Sequence, residues 1–192
     1  MIHRISVSAQ PGYLLFIAIS IMLLPLKVIF AWMVASFVHE LGHILCIVLM
    51  KKDIYSIRLS ASGAIIQTDR LANWQEWIAA LSGPLAGILL LPLTKYMPMT
   101  AMFALFQSVY NLMPIYPMDG GRVVLGLFRF FCGYDNGIKR YGAFMCIFCA
   151  IVLLMTIYIS LRFSLGVVPL LILLFFFIKV KFSCKESTQE VE

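Results

Sequence analysis

The chain has 192 residues, of which 62% are hydrophobic and 12% are charged, and its formal net charge is +6. Soluble domains are nearer half apolar and a quarter charged, so this composition excludes an ordinary soluble protein and predicts a lipid environment. A basic excess would point to nucleic acid in a soluble chain. In a membrane protein, Lys and Arg instead gather at helix ends and orient the chain, so we predict the lipid bilayer as a partner and no nucleic acid.

Six apolar segments are predicted to cross the membrane, since a transmembrane helix needs about 20 mostly apolar residues. The fourth segment is interrupted by Pro114, Pro117 and the pair Gly120–Gly121 before it resumes. This pattern predicts an all-α, multi-pass membrane protein with one domain over residues 1–180, a core over about 28–132 and a polar tail over 181–192. The six segments cover residues 13–26, 28–50, 77–93, 97–132, 141–161 and 165–180.

The stretch between the second and third segments has a different period. Tyr55, Ile57, Leu59 and Ala61 alternate with polar residues, and residues 64–68 could form a second strand after a glycine. Alternation with period two is the signal of a strand, so we predict a small β-hairpin or sheet at the membrane surface. Such a hairpin could offer a free edge to which a further strand can add, or it could simply cap the helix bundle.

The orientation of the chain follows from its basic residues. With six spans and the N-terminus in the cytosol, twelve of the fifteen Lys and Arg residues fall on the cytosolic side. The outer side receives only Lys27, Lys95 and Arg162. This distribution obeys the positive-inside rule, so both termini are predicted to be cytosolic.

The second apolar segment carries three ionisable residues, in the order His39-Glu40-Leu41-Gly42-His43. Residues four apart share one face of a helix, so both imidazoles can bind one zinc ion while Glu40 takes a proton from bound water. Ionisable groups inside a membrane helix are costly and normally mark a function. The alternative is that the three polar groups pair with one another or line a cavity.

A catalytic zinc site needs a third protein ligand and one open position. Asp119 is the other acidic residue in an apolar context. It could also cap the helix that resumes there, and the two roles do not exclude each other. His43 precedes Lys51 by eight residues and Asp119 precedes Arg129 by ten, which places them about 12 Å and about 15 Å above the cytosolic ends of their helices. These similar depths, on helices predicted to run in the same direction, favour Asp119 as a ligand.

The segments HELGH and NLMPIYPMDGG, spelling H-E-x-x-H and N-x-x-P-x-x-P-x-D-G-G, resemble the motifs of the site-2 protease family of intramembrane metalloproteases. The similarity spans residues 28–132, and Ser82-Gly83-Pro84 resembles the family's third-helix motif, although Gly87 stands where that motif often has Asn. The resemblance implies one zinc ion per chain, bound by His39, His43 and Asp119, with Glu40 as general base. It also implies that Asn111 holds the substrate backbone or the oxyanion, unless Asn111 only satisfies backbone groups freed at the helix break.

The compact layout, with no PDZ insert, resembles the bacterial subgroup of the sporulation factor IVFB proteases. Members of that subgroup usually carry a C-terminal CBS domain, and none is predicted here. This likeness implies a bacterial cell-membrane enzyme that cleaves transmembrane or membrane-associated proteins near the cytosolic face. Two other classes of function stay open: a catalytically silent relative that binds membrane proteins, and a metal transporter that uses the same ligands. Transporters tend to have paired broken helices in two repeats, and this sequence interrupts one helix.

Overall fold

The computed structural model describes residues 6–60 and 63–163, which divide into two compact units, Met1–Met113 and Pro114–Glu192. Within the described residues, the first unit contains four helices and a three-stranded sheet, and the second contains two helices. The helices of the first unit are α1 (Pro11–Leu23), α2 (Leu26–Leu49), α3 (Asn73–Ile88) and α4 (Pro98–Asn111), with a 3₁₀ turn over Leu91–Lys95. Those of the second unit are α5 (Asp119–Cys132) and α6 (Tyr134–Arg162).

A short break at Leu24 and Pro25 separates α1 from α2. Leu24 is extended, with φ −120° and ψ 147°, as expected for a residue before proline, and Pro25 then precedes the first turn of α2. The two helices match the first two predicted segments closely. The 13 residues of α1 extend about 20 Å at about 1.5 Å per residue, less than the ~30 Å of a hydrocarbon core.

The sheet has the strand order β1–β2–β3, with β1 over Ser6–Ala9, β2 over Ile54–Ser60 and β3 over Gly63–Thr68. β2 and β3 pair antiparallel, which confirms the predicted hairpin. β1 pairs with β2 in parallel, and this strand was not predicted from the sequence. Four residues are too few to establish a period of two, so the signal of β1 was lost beside the apolar run of α1.

The helices of the first unit pack through small side chains. The buried face of α2 repeats every fourth residue and consists of Ala31, Ala35, His39, His43 and Ile47. The buried positions of α3 and α4 are mostly Ala, Gly, Ser and Thr. Small residues let helix backbones approach closely, which is how helices associate in lipid. Two histidines within such a face are therefore held tightly.

The sheet packs onto the ends of α2 and α3. Ile47 of α2, Ile54 of β2 and Ala79 of α3 form a buried apolar cluster, and Ile57 and Ile66 pack against it. Ile57 and Ile66 are cross-strand partners, so one face of the hairpin is apolar and covers the helix ends. This packing brings β3 to the same end of α2 as His43.

The second unit begins with the irregular segment predicted from its prolines and glycines. The Tyr116–Pro117 peptide bond is cis. The hydroxyl of Tyr141 in α6 accepts a hydrogen bond from the Tyr116 backbone N–H at 2.8 Å and donates one to the Pro114 carbonyl at 3.2 Å. A break in a membrane helix frees backbone groups that need partners, and Tyr141 supplies a donor and an acceptor from one side chain.

Three helical segments within residues 6–60 and 63–163 are long and apolar enough to cross a membrane: Leu26–Leu49, Asn73–Lys95 and Tyr134–Arg162. The chain is therefore an integral membrane protein. The number of six spans stays a prediction, because α1 is shorter and the last predicted segment, residues 165–180, lies outside the described residues together with the tail. The fifth predicted segment begins earlier than expected, since α6 starts at Tyr134.

A candidate metal centre with an adjacent carboxylate

His39 and His43 lie one helical turn apart on the buried face of α2. Their side chains are 2% and 8% exposed, in a helix whose other face is largely apolar and exposed. Their Nε2 atoms are 3.3 Å apart, and the two rings meet edge to face at 84°. The H-E-x-x-H spacing thus brings two imidazole nitrogens together inside the helix packing, as predicted.

The separation of the two Nε2 atoms fits a shared metal ion. Two nitrogens bound to zinc at about 2.0–2.1 Å with a tetrahedral angle lie about 3.3–3.4 Å apart, and the observed 3.3 Å falls in that range. His43 Nδ1 lies 2.7 Å from the Ala79 carbonyl. A carbonyl only accepts, so the ring proton of neutral His43 is on Nδ1. Nε2 is then the unprotonated nitrogen, which is the form that binds a metal.

Asn111, at the end of α4, contacts the first of these histidines. Its Nδ2 atom donates to His39 Nε2 at 3.0 Å, and its side chain is half-buried. The structure therefore brings Asn111 to the candidate ligand atom itself. Its predicted role in holding a substrate stays a prediction.

Glu40 follows His39 on α2 and is half-buried. Its Oε1 atom accepts a hydrogen bond from the backbone N–H of Ala64, at 3.4 Å, and lies near Gly63. The start of β3 therefore lies against the carboxylate. The predicted base and the predicted strand are neighbours, which the sequence alone did not indicate.

Asp119 lies in the second unit, where it is the first residue of α5 and is buried. The N-cap residue of α5 is Met118 and Asp119 is the residue after it. The prediction that Asp119 itself caps the helix was therefore wrong. A carboxylate in the first turn still interacts favourably with the helix dipole. A Cβ on the nearby Gly121 would come within 2.6 Å of the Ile115 carbonyl oxygen, so Gly121 allows the preceding loop to fold onto α5.

Sequence reasoning missed the partners that come from the backbone. The Ala79 carbonyl and the Ala64 N–H have no signature in a motif, because every residue carries these groups. The role of Tyr141 as a partner of the helix break was also not predicted, since it lies 25 residues from Tyr116 in a plain apolar segment. A buried tyrosine hydroxyl in lipid needs a partner, and this was the signal that could have identified it.

No family model matches the sequence. A protein of Synechocystis sp. described as “Putative zinc metalloprotease sll0528” is 27% identical over 114 residues, which cover 51% of this chain and 30% of that relative. The chain thus spans under a third of the length of this relative. The site-2 protease of Methanocaldococcus jannaschii is similar in structure, with a TM-score of 0.59 and 24% identity over 94% of this chain and 92% of that one. The chain therefore shares the fold of a site-2 protease.

Proposed function

We propose that this chain is an intramembrane zinc metalloendopeptidase of the site-2 protease type. The observation that carries the proposal is the pair of buried imidazoles on α2, whose Nε2 atoms are 3.3 Å apart with a carboxylate at the next residue. The shared fold and the similarity to a relative described as a zinc metalloprotease support it. The single protease domain predicted for residues 1–180 remains part of this proposal.

The proposed zinc ligands are His39, His43 and Asp119, which are buried and each offer one atom of a type that zinc binds. Bound zinc would act as a Lewis acid on the scissile carbonyl and lower the pKa of water in its open position to about 7. The burial of these residues excludes bulk water, which strengthens the electrostatic interactions of the site.

Glu40 is proposed as the general base. It follows a ligand directly, so its carboxylate is held within reach of the attacking water, whose proton it accepts and then delivers to the leaving amine. The Ala64 N–H donates to Oε1 of this carboxylate, which orients the group. Asn111, whose amide contacts His39, is proposed to donate to the substrate backbone or to the developing oxyanion.

The substrates are proposed to be membrane-embedded or membrane-associated proteins, cut near the cytosolic face. A helical substrate must unwind before one of its carbonyls can react, and its bare backbone groups then cost several kcal/mol each in lipid. β3 is an edge strand of the sheet and begins beside Glu40. We infer that unwound substrate adds to this edge as a further strand.

Orientation and location are carried over as proposals. The basic residues favour cytosolic termini, and the likeness to the sporulation factor IVFB proteases suggests a bacterial cell membrane. A catalytically silent relative would need no general base, and Glu40 argues against that reading. A metal transporter that binds its ion through the same residues would be expected to have paired broken helices. The sequence predicts one broken helix, which argues against this alternative.

A cleavage assay with a Glu40→Gln control tests the proposal. Purified protein in lipid vesicles would be mixed with a reporter that carries one transmembrane helix, and products would be identified by mass spectrometry. The wild type should cut the reporter and lose this activity reversibly with a zinc chelator. Glu40→Gln should keep its zinc and its fold but cleave about 10²–10⁴-fold more slowly, since proton transfer typically contributes that much. Equal rates would refute the assignment of Glu40, and zinc flux into vesicles without cleavage would support a transporter.

A further inference from the structure

The close contact between α2 and α3 leaves no room for side chains. A Cβ on Gly42 would lie 2.6 Å from the Ser82 carbonyl oxygen, 2.7 Å from Ala86 Cβ and 3.1 Å from Gly83 Cα. Distances below about 3 Å do not occur between real atoms of this kind, so the two backbones meet directly. α2 therefore presents His43 to the bare backbone of α3.

The His43 ring fits against Gly83 in particular. A Cβ at Gly83 would come within 2.8 Å of three ring atoms of His43, including the candidate ligand atom Nε2. The imidazole is rigid and cannot bend away as a flexible chain could. Gly83 thus forms one wall of the space that the ring occupies, and any larger residue would displace the ring.

Ala79 lies one turn before Gly83 on α3, and its carbonyl oxygen contacts Nδ1 of the His43 ring. It accepts from His43 Nδ1 at 2.7 Å and also from the Ser82 hydroxyl at 2.6 Å. Ala79 is 4% exposed and His43 is 8% exposed, so water cannot substitute for this acceptor. A histidine that binds a metal usually donates its other N–H to such an acceptor, which fixes the tautomer and raises the basicity of the ligand nitrogen.

We propose that α3 positions His43 for metal binding through its backbone, with the Ala79 carbonyl holding the proton on Nδ1 and Gly83 leaving space for the ring. The inference rests on the proposed zinc site and assigns a purpose to the Ser82-Gly83-Pro84 segment. Ala79 and Gly83 are positioning residues, since they act through His43. Weakening the Ala79 carbonyl as an acceptor, or filling the space at Gly83, should weaken zinc binding even where the fold survives.

The carbonyl can be tested without adding bulk. Replacing Ala80 by lactic acid, its α-hydroxy counterpart, turns the Ala79 carbonyl into an ester carbonyl, which is a weaker acceptor. The same replacement at Ala79 changes the Ile78 carbonyl instead and serves as the matched control in the same turn. Zinc affinity would be measured by competition with a chromophoric chelator in detergent, and thermal unfolding of the metal-free proteins would report the fold.

We expect the ester at position 80 to weaken zinc binding about 10-fold or more, within the 10–100-fold range known for partners of ligating histidines. The control at position 79 should keep the wild-type affinity. The two ester proteins should therefore differ in zinc affinity while their thermal stabilities stay similar. A general weakening of α3 would instead lower the zinc affinity of both.

Gly83→Ala tests the space for the ring, and Gly87→Ala is its control one turn along the same helix. A Cβ at Gly87 would crowd the Ser108 hydroxyl and lie 3.3 Å from the Ala104 carbonyl oxygen, but it would not touch His43. Gly83→Ala should weaken zinc binding about 10–100-fold and change the visible spectrum of the cobalt-loaded protein. Gly87→Ala should change neither.

The outcomes separate this inference from the proposed function. If the wild type binds zinc and the ester at position 80 leaves the affinity unchanged, the positioning role is overturned while the zinc site stands. Equal losses in Gly83→Ala and Gly87→Ala would also overturn it, as would equal losses in the two ester proteins. If Gly83→Ala does not fold, the ester pair decides the question. A wild type that binds no zinc would overturn both the site and its positioning.

Discussion

At the scale of single residues, the proposed site depends on three ligands: His39 and His43, one turn apart on α2, and Asp119, at the start of α5. His39→Ala, His43→Ala and Asp119→Ala should each reduce zinc content from about one ion per chain, because each removes one of three protein ligands. Metal content would be measured by mass spectrometry of purified, desalted protein. Asp135, the acidic residue in the first turn of α6, provides a matched control. Full zinc in Asp119→Ala would exclude that carboxylate as a ligand.

Another residue-scale feature closes the open end of the hairpin. The Tyr55 hydroxyl and the Asp53 backbone N–H both donate to the Asp69 carboxylate. The Tyr55 hydrogen bond is the largest cause that lowers the pKa of Asp69, followed by the Asp53 hydrogen bond. The same hydrogen bond raises the pKa of Tyr55.

This interaction predicts a pH dependence with a definite sign. A carboxylate whose pKa is lower in the folded state stabilises the fold above its ordinary pKa, and this contribution is lost as the pH falls through the lowered value. Hydrogen exchange over residues 53–60 and 63–69, followed from about pH 5 down to about pH 2 and corrected for the intrinsic exchange rate, should show the hairpin loosening as the pH falls below the ordinary Asp pKa of about 3.9. Tyr55→Phe should move this loosening to higher pH, whereas Tyr96→Phe, at an exposed position, should not. An unchanged midpoint in Tyr55→Phe would contradict the assignment.

At the scale of elements, β3 has one edge paired with β2 and one that faces Glu40. The Ala64 N–H points to Glu40, and alternate residues of a strand direct their N–H groups to the same side, so Ile66 should also present its N–H at the outer edge. Ile66→Pro removes this donor, and it should reduce cleavage while zinc content stays normal. Ile66→Ala controls for the lost packing of Ile66 against the apolar cluster.

Cleavage by these two variants would be compared in vesicles with the reporter described above. The strand model requires the proline variant to be slower than the alanine variant at equal zinc content. If folded, zinc-loaded Ile66→Pro cleaves as fast as Ile66→Ala, the hairpin serves only to cap the helix ends.

Some of the helices and strands could be predicted from the sequence and others could not. Periodicity located α2 and the hairpin, and the prolines and glycines between Asn111 and Asp119 marked the helix break. The start of α6 at Tyr134 was missed because its first turns contain charged residues and read as a loop. β1 was missed because a parallel strand pairs with residues 50 positions away (Ser6 with Ser56), and local patterns carry no information about a distant partner. The partners of His43 and Glu40 were missed because they are backbone atoms.

At the scale of the whole molecule, the sheet constrains how the chain crosses the membrane. β1 precedes α1 and β2 follows α2, yet they are neighbours, and the Gln10 backbone N–H also donates to the Leu59 carbonyl at 2.9 Å. The chain therefore leaves the sheet through α1 and returns to it through α2. This path agrees with the predicted topology, in which the first two segments form an out-and-back pair.

Cysteine labelling tests the orientation of that path. In a variant without native cysteines, Lys95→Cys and Arg162→Cys should react with an impermeant maleimide added from outside. Lys52→Cys and Lys139→Cys should react only after the membrane is opened, because the basic loops are predicted to be cytosolic. Labelling of Lys52→Cys in sealed cells would invert the topology and move the proposed site toward the outer face.

The parallel pairing of β1 with β2 also has a consequence for how the protein is made. Ser6 leaves the ribosome 50 residues before its partner Ser56, and α1 and α2 are synthesised in between. At about 5–20 residues per second of synthesis, the first strand waits roughly 3–10 s before β2 exists. The three-stranded sheet beside the carboxylate can thus form only after both α1 and α2 have been synthesised, so this part of the candidate site is assembled well after its first strand is made.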